Sequence, residues 1–303
     1  MKKILMLVLA LMLCVCSFAG AEDAAMKVSA PSGAPALALA VLAAEHPENY
    51  TFVAADTIAA EFAGAQADFI IAPVNAGAKL FKAGKSTYRM AAVISWGNLY
   101  IASRRPDFKL EDISEAGITL FGENTINASV TLFALAESGI TPANVEYLAG
   151  AANTQSLLLS DENAIVLTAE PALTAAKLKA ENVTAYAVND LYEAATGYKG
   201  FTQAALFVRA ETLEARPEEV KAYLAEVQAS CEKCESDVNA VAEAAVALEI
   251  LPNQKVALSA IPGCAIRFVP AAEAKEQVAL TAAVDPAQFG GEAPADDFYY
   301  AAE

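Results

Sequence analysis

From Met26 onward, short strand-like runs alternate with amphipathic helical ones. That alternation restricts the chain to βαβ units, which build a largely parallel sheet with helices on its faces. Residues 27–30 read as a strand that leads through Pro31-Ser32-Gly33-Ala34-Pro35 into a helix over 36–46, and 50–55 is a second strand before a helix near 58–62. A third strand at 68–74 ends in Asn75-Ala76-Gly77, which opens a helix over 78–83, and 88–95 is a further strand before Trp96-Gly97-Asn98. Residues 99–103 are extended. The polar, turn-forming Arg104-Arg105-Pro106-Asp107 then marks a lobe boundary.

Beyond it the order restarts, with strands at 117–121, 145–148, 164–168 and 183–188 and helices at 125–138 and 154–159. Residues 203–208 read as an extended return path, and 211–248 as a long helical stretch of at least two helices. The expected fold is therefore α/β with two lobes, each a largely parallel sheet flanked by helices, joined by two crossing strands. Residues 22–103 and 204–303 make the first lobe and 104–203 the second. Phe298, Tyr299 and Tyr300 make the C-terminal end aromatic enough to dock on the body. Alanine abundance follows no fixed period and reflects helix propensity and close helix packing.

Lys2 and Lys3 precede an apolar run over residues 4–13, and Ala19-Gly20-Ala21 stands before Glu22 and Asp23. This is the pattern of a secretory signal peptide over 1–21 with a small-x-small cleavage site. The apolar core is shorter than the roughly 20 residues a bilayer-spanning helix needs. The expectation is an extracytoplasmic protein of the periplasm or cell surface. Leu13 precedes Cys14 and Val15 precedes Cys16, where an acylated cysteine follows a small residue, so lipoprotein anchoring is the weaker reading. Twenty basic against 37 acidic residues give a net charge of −17 over 303 residues, a field that repels nucleic acid and anionic lipid. A chain of this length buries a large core and suggests two lobes with a cleft between them.

Histidine is the most useful negative, because His46, beside Pro47, is the only one. No metal cluster can be built on it, and no G-x-S-x-G elbow or H-E-x-x-H pair occurs. Neither a cofactor nor catalysis is expected. Cys231-x-x-Cys234 lies in an acidic helical run with no second pair, so a structural role is favoured over redox or zinc chemistry. In an oxidising compartment one of the two is expected to bridge Cys264, leaving one free thiol.

Binding chemistry is better supplied. Ser32-Gly33-Ala34, Asn75-Ala76-Gly77 and the run holding Thr125, Asn127 and Ser129 stand at strand-to-helix turns. Ligands of open α/β sheets sit at such strand ends, where helix N-termini offer free N–H donors. Each of these residues is by itself an ordinary N-cap more often than a contact; three like-facing turns shift the balance toward a site. Trp96, the only tryptophan, stands at a strand end with Gly97 and Asn98, either as core or as a ring wall for a planar ligand. Glu170 before Pro171 is either a helix cap or a cleft carboxylate for an amine or amidine.

Four strings stand in this order along the chain: Ala30-Pro31-Ser32-Gly33-Ala34-Pro35, Ala72-Pro73-Val74-Asn75-Ala76-Gly77, Trp96-Gly97-Asn98 and Glu170-Pro171. At them the sequence resembles the type 2 periplasmic binding proteins of ABC importers, in the branch that takes nitrate, sulfonates, taurine and thiamine-pyrimidine precursors. The resemblance implies a monomer that closes two lobes over one small solute and delivers it to an ABC permease in the cytoplasmic membrane. Ser32, Gly33, Ala34, Asn75, Trp96, Gly97, Asn98, Thr125, Asn127, Ser129 and Glu170 would line its cleft. The solute would be a heterocycle such as a pyrimidine precursor, or a sulfonate-like compound. The competing readings are a secreted lyase or dehydratase on the same fold and a ligand-binding sensor for a membrane signalling partner.

Overall fold

The computed structural model describes residues 25–301, so the signal peptide expected over 1–21, with Cys14 and Cys16, lies outside the described residues. The first part of the chain supplies strands β1 (Val28–Pro31), β2 (Tyr50–Val53), β3 (Phe69–Pro73), β4 (Arg89–Ser95), β5 (Leu99–Ser103) and β6 (Ile118–Phe121). The remainder supplies β7 (Val145–Leu148), β8 (Ile165–Ala169), β9 (Thr184–Ala187), β10 (Ala204–Val208) and β11 (Ile266–Pro270). They form a six-stranded sheet in the order β11-β4-β10-β3-β1-β2 and a five-stranded sheet in the order β7-β6-β8-β5-β9. Helices flank both, giving an α/β protein of two lobes.

The central strands β3 and β10 are continuous apolar runs because helices cover both of their faces. Both sheets are mixed rather than simply parallel. β1 runs parallel to β2 and β3, and β6 parallel to β7 and β8. β10 is antiparallel to β3 and β4, and β5 to β8 and β9. The cause is topological: β5 and β10 each enter their sheet directly from the other lobe, without the crossover helix that a parallel neighbour requires.

This corrects the expected lobe boundary. Leu99–Ser103, assigned from sequence to the first lobe, hydrogen-bonds entirely within the five-stranded sheet. The chain crosses at residues 96–98 and returns at 197–203, while Arg104-Arg105-Pro106-Asp107 is a surface turn of the second sheet. The first crossing is buried, Trp96 and Asn98 included, so an exposed polar turn was the wrong marker for it. Residues 203–208 are the extended return path expected, and Ala204–Val208 takes a central place in the six-stranded sheet.

Several elements differ in extent for identifiable reasons. Asn75, Ala76 and Gly77 lie inside the helix Val74–Lys82, not before it. Gly77 is tolerated there because a Cβ would stand 2.3 Å from the Phe207 ring. The stretch expected over 211–248 is three helices, Ala210–Ala215, Pro217–Ser236 and Val238–Ala247, interrupted by non-helical Arg216 and Asp237. The helices Val188–Thr196 and Ala271–Val284 and the edge strand β11 were not anticipated. The C-terminal aromatics do dock: Phe298 is fully buried, and Tyr299 bridges to Met90.

The expected disulfide is not formed. Cys231, Cys234 and Cys264 are buried free thiols. The Cys264 thiol donates to the Ala260 carbonyl at 3.2 Å and Cys234 points at the Leu37 carbonyl at 3.8 Å. Burial raises their pKa values, to about 12 for Cys234, so none is poised as a thiolate.

Candidate functional site

Between the carboxyl ends of the two sets of strands lies a cavity of about 290 Å³ that Ser32, Asn75, Thr125, Asn127, Gln203 and Gln288 line with polar groups. Ser32 follows β1, Asn75 follows β3, and Thr125 and Asn127 follow β6 at the head of the helix Ile126–Glu137. Strand-end turns of one polarity therefore meet from both lobes. Pro31, Pro35, Ile58 and Ile126 supply the apolar part of the wall, and among the described residues no charged side chain lines the cavity.

Ordinary N-capping does not account for these residues. Thr125 occupies the N-cap position, yet its hydroxyl donates to the Gly122 carbonyl at 2.6 Å and caps nothing. The helix Val74–Lys82 starts after Pro73 and the 3-10 turn Ala34–Leu39 after Gly33, again without a side-chain cap. Gly33 holds φ +114° and ψ −158°, a conformation open only to glycine, and so turns the chain sharply out of β1. The helix starts consequently keep unspent N–H donors and the partial positive charge of the helix dipole. Asn75 Oδ1 is buried without a hydrogen-bond partner. Turning that amide over would place its NH2 at the same spot, so Asn75 can serve either a donor or an acceptor on a solute.

Gln203 sits at the junction of the crossings. Its amide NH2 donates to Asn98 Oδ1 at 3.1 Å and Asn127 Oδ1 at 3.3 Å, and its carbonyl Oε1 accepts from the Ser95 hydroxyl at 3.1 Å. One side chain thus ties the first crossing to the helix of the opposite lobe. At the rim, Gln288 Nε2 donates to the Asn124 carbonyl at 2.7 Å, and the Ser129 hydroxyl donates to Asp285 at 2.6 Å. Sequence reading missed Gln203 and Gln288. A polar residue heading the apolar run Ala204–Val208 was the available signal for Gln203; Gln288, in a 3-10 turn far along the chain, offered none.

Not every expected residue reaches this cavity. Ser32, Asn75, Thr125 and Asn127 line it; Gly33, Ala34, Asn98 and Ser129 adjoin it without lining it. Trp96, Gly97 and Glu170 are elsewhere. Trp96 is 2% exposed, its indole N–H donates to the Arg267 carbonyl at 2.9 Å, and the Arg267 guanidinium lies 4.4 Å from the ring centroid. Its turn is covered by β11 and by Asn189, whose NH2 donates to the carbonyls of Trp96 and Gly97. Glu170 is 7% exposed and takes the N–H and hydroxyl of Thr174, the first-turn cap role that sequence left open.

Burial raises the Glu170 pKa above the ordinary carboxylate value. Folding therefore favours its protonated form, and this contribution, present below the unfolded-state pKa, is lost as pH rises through the folded-state value. Glu170→Gln keeps an acceptor for Thr174 and removes the charge. Its melting temperature is expected to exceed the parent's at pH 7, with the gap closing as pH falls. A variant that melts lower at pH 7 would contradict this account of the group.

Among the described residues no group of three or more His, Cys, Asp or Glu is placed to hold a metal, and no helix is long and apolar enough to cross a membrane. No family model and no curated protein sequence matches the chain. Solved structures do. An ABC transporter protein from Parabacteroides distasonis covers 93% of this chain and 100% of its own at 21% identity, with a TM-score of 0.77. The fold is that of the type 2 periplasmic binding proteins. The periplasmic aliphatic sulphonate-binding protein of Escherichia coli superimposes at a TM-score of 0.70 with 14% identity and 92% coverage of both chains. The zinc-bound ligand-binding component of an ABC-type import system from Staphylococcus aureus does so at 0.68, with 11% identity, 91% of this chain and 96% of its own. In the periplasmic binding protein fold of this chain, the cavity headed by Ser32, Asn75 and Thr125 is the cleft between the lobes.

Proposed function

We propose that this protein is the extracytoplasmic substrate-binding component of an ABC importer, which captures one small organic solute between its lobes and hands it to a membrane permease. The observation that carries this reading is the meeting of three uncapped helix starts, from both lobes, on a cavity spanned by Gln203. The leader over residues 1–21 supports an extracytoplasmic site of action. A single chain supplies both walls of the cleft, which supports action as a monomer. Ser32 and Thr125 bring hydroxyls to the cavity, but neither has a histidine or a charged side chain beside it in the lining to activate it, and the reading is one of binding without turnover.

Of the two solute classes, the lining favours the sulfonate-like one. The case for a planar heterocycle rested on Trp96 and Glu170, and both are occupied outside the cleft. What remains is a ring of neutral donors and helix N-termini, suited to a compact anionic head, with Pro35, Ile58 and Ile126 against a short apolar body. The cavity volume is at the small end for organic-ligand pockets, about 300 Å³ and upward.

A thermal-shift and calorimetric panel of alkanesulfonates, taurine, nitrate, pyrimidines and amino acids tests this. A sulfonate is expected to bind one-to-one and to be recovered unchanged, raising stability by about 2.7 kcal/mol at a hundredfold excess over Kd. Asn127→Ala and Gln203→Ala are each expected to weaken that binding roughly tenfold, the worth of one lost hydrogen bond in a dry site. Preferential binding of a pyrimidine would overturn the head-group assignment. Conversion of the ligand would overturn the binding-protein reading itself.

A further inference from the structure

A second cavity, of about 600 Å³, lies on the other side of the crossing segments. Its walls come from both lobes: the helix Pro217–Ser236 through Gln228, the turn around Ile261, and β11 through Arg267 on one side; Tyr100, Asp190 and Lys199 on the other. Trp96 closes it from within the crossing. We infer that this cavity is a second binding site, which takes a small organic monocarboxylate with an apolar body. The inference goes beyond solute capture in the cleft and stands without it.

Arg267 carries the argument. In a chain with 37 acidic residues, its guanidinium has no carboxylate within 4.0 Å among the described residues and donates no side-chain hydrogen bond, although Asp190, Glu193, Glu232 and Glu235 line the same cavity. It is held instead against the Trp96 face, which restricts its rotamers and leaves its planar fork of donors unspent. The residue is exposed, and desolvation along the Trp96 contact draws its pKa below the ordinary arginine value, so its fork is open to a ligand from solvent. A carboxylate matches the fork with two parallel hydrogen bonds. Lys199, on the same cavity, adds a second positive charge.

The rest of the lining narrows the ligand. Tyr100, Val238 and Phe268, all half-buried, present ring and aliphatic surface to an apolar body, while Trp96 lies beneath Arg267. The four carboxylates at the edge repel a second negative charge on the ligand, which selects a monocarboxylate over dicarboxylates and phosphate esters. They also suit an ammonium group. The carboxylate can therefore come from a simple branched-chain acid or from a zwitterionic amino acid.

Trp96 is the only tryptophan and borders this cavity, so intrinsic tryptophan emission reads its occupancy directly. Titration with 4-methylpentanoate and with leucine is expected to give a saturable change for at least one. Tighter binding of leucine would assign the edge carboxylates to its ammonium group; tighter binding of 4-methylpentanoate would assign the site to the apolar acid. Arg267→Gln, whose side chain is at the surface and whose melting temperature is checked without ligand, is expected to weaken the response at least tenfold. Arg267→Lys, which keeps the charge but loses the fork, falls between. Asn127→Ala, on the other cavity, keeps the parent's response, so a failure of solute capture in the cleft is read separately. No saturable change with either probe, unaltered affinity in Arg267→Gln, loss of the response in Asn127→Ala, or equal binding of succinate would each overturn the proposal.

Discussion

Trp96→Ala is expected to cost about 3 to 5 kcal/mol of folding stability, the range for truncating a large aromatic in a packed core. The ring is 2% exposed, its N–H is spent on the Arg267 carbonyl, and it belongs to the largest apolar cluster, which runs from β4 through the crossing to Phe201 and Tyr192. Truncation leaves a void at the crossing and an unpaired carbonyl. Solute affinity in the cleft should change far less, because Trp96 contributes no atom to that cavity. Denaturant unfolding alongside calorimetry with a cleft ligand checks both halves. A Trp96→Ala protein of parental stability that no longer binds the cleft ligand would return this side chain to the cleft.

Gly200→Ala is expected to lose roughly 2 to 5 kcal/mol, the sum of a left-handed backbone penalty of about 1 to 2 kcal/mol and an overpacking cost of about 1 to 3 kcal/mol. Gly200 holds φ +88°, and a Cβ there would stand 2.2 Å from the Trp96 carbonyl oxygen. A backbone atom cannot rotate away, so one crossing segment must shift from the other. Gln203, three residues on, would move with it and loosen its bonds to Asn98 and Asn127. Stability and cleft affinity should therefore fall together. Gly139→Ala is the control, since φ there is +75° but nothing lies within 4 Å of the added Cβ. Thermal melts should place Gly139→Ala near the backbone penalty alone; equal losses in the two variants would show that contact between the crossings contributes nothing.

The polar turns of the cleft were legible because a strand end followed by a helix start is a local event, written within a few residues. Ser32, Asn75, Thr125 and Asn127 could be named on that basis, and all four line one cavity. Gln203 and Gln288 escaped because neither stands at such a turn. Trp96 was misread for a related reason: its surroundings look like an exposed turn until β11, whose Arg267 carbonyl lies 171 residues away in sequence, is laid over it.

The sequence by itself determined the alternation of strands and helices, the α/β class, the exclusion of histidine-based chemistry and the polar strand-end turns whose Ser32, Asn75, Thr125 and Asn127 line the cavity. These follow from periodicity, turn composition and inventory, which need no partner from elsewhere in the chain. Only the tertiary structure decided where the chain crosses between sheets, which strands run against their neighbours, and whether Trp96 and Glu170 face solute or protein. Those outcomes depend on what covers a residue from far along the chain. Burial turned a plausible ring wall into core and a plausible cleft carboxylate into a helix cap.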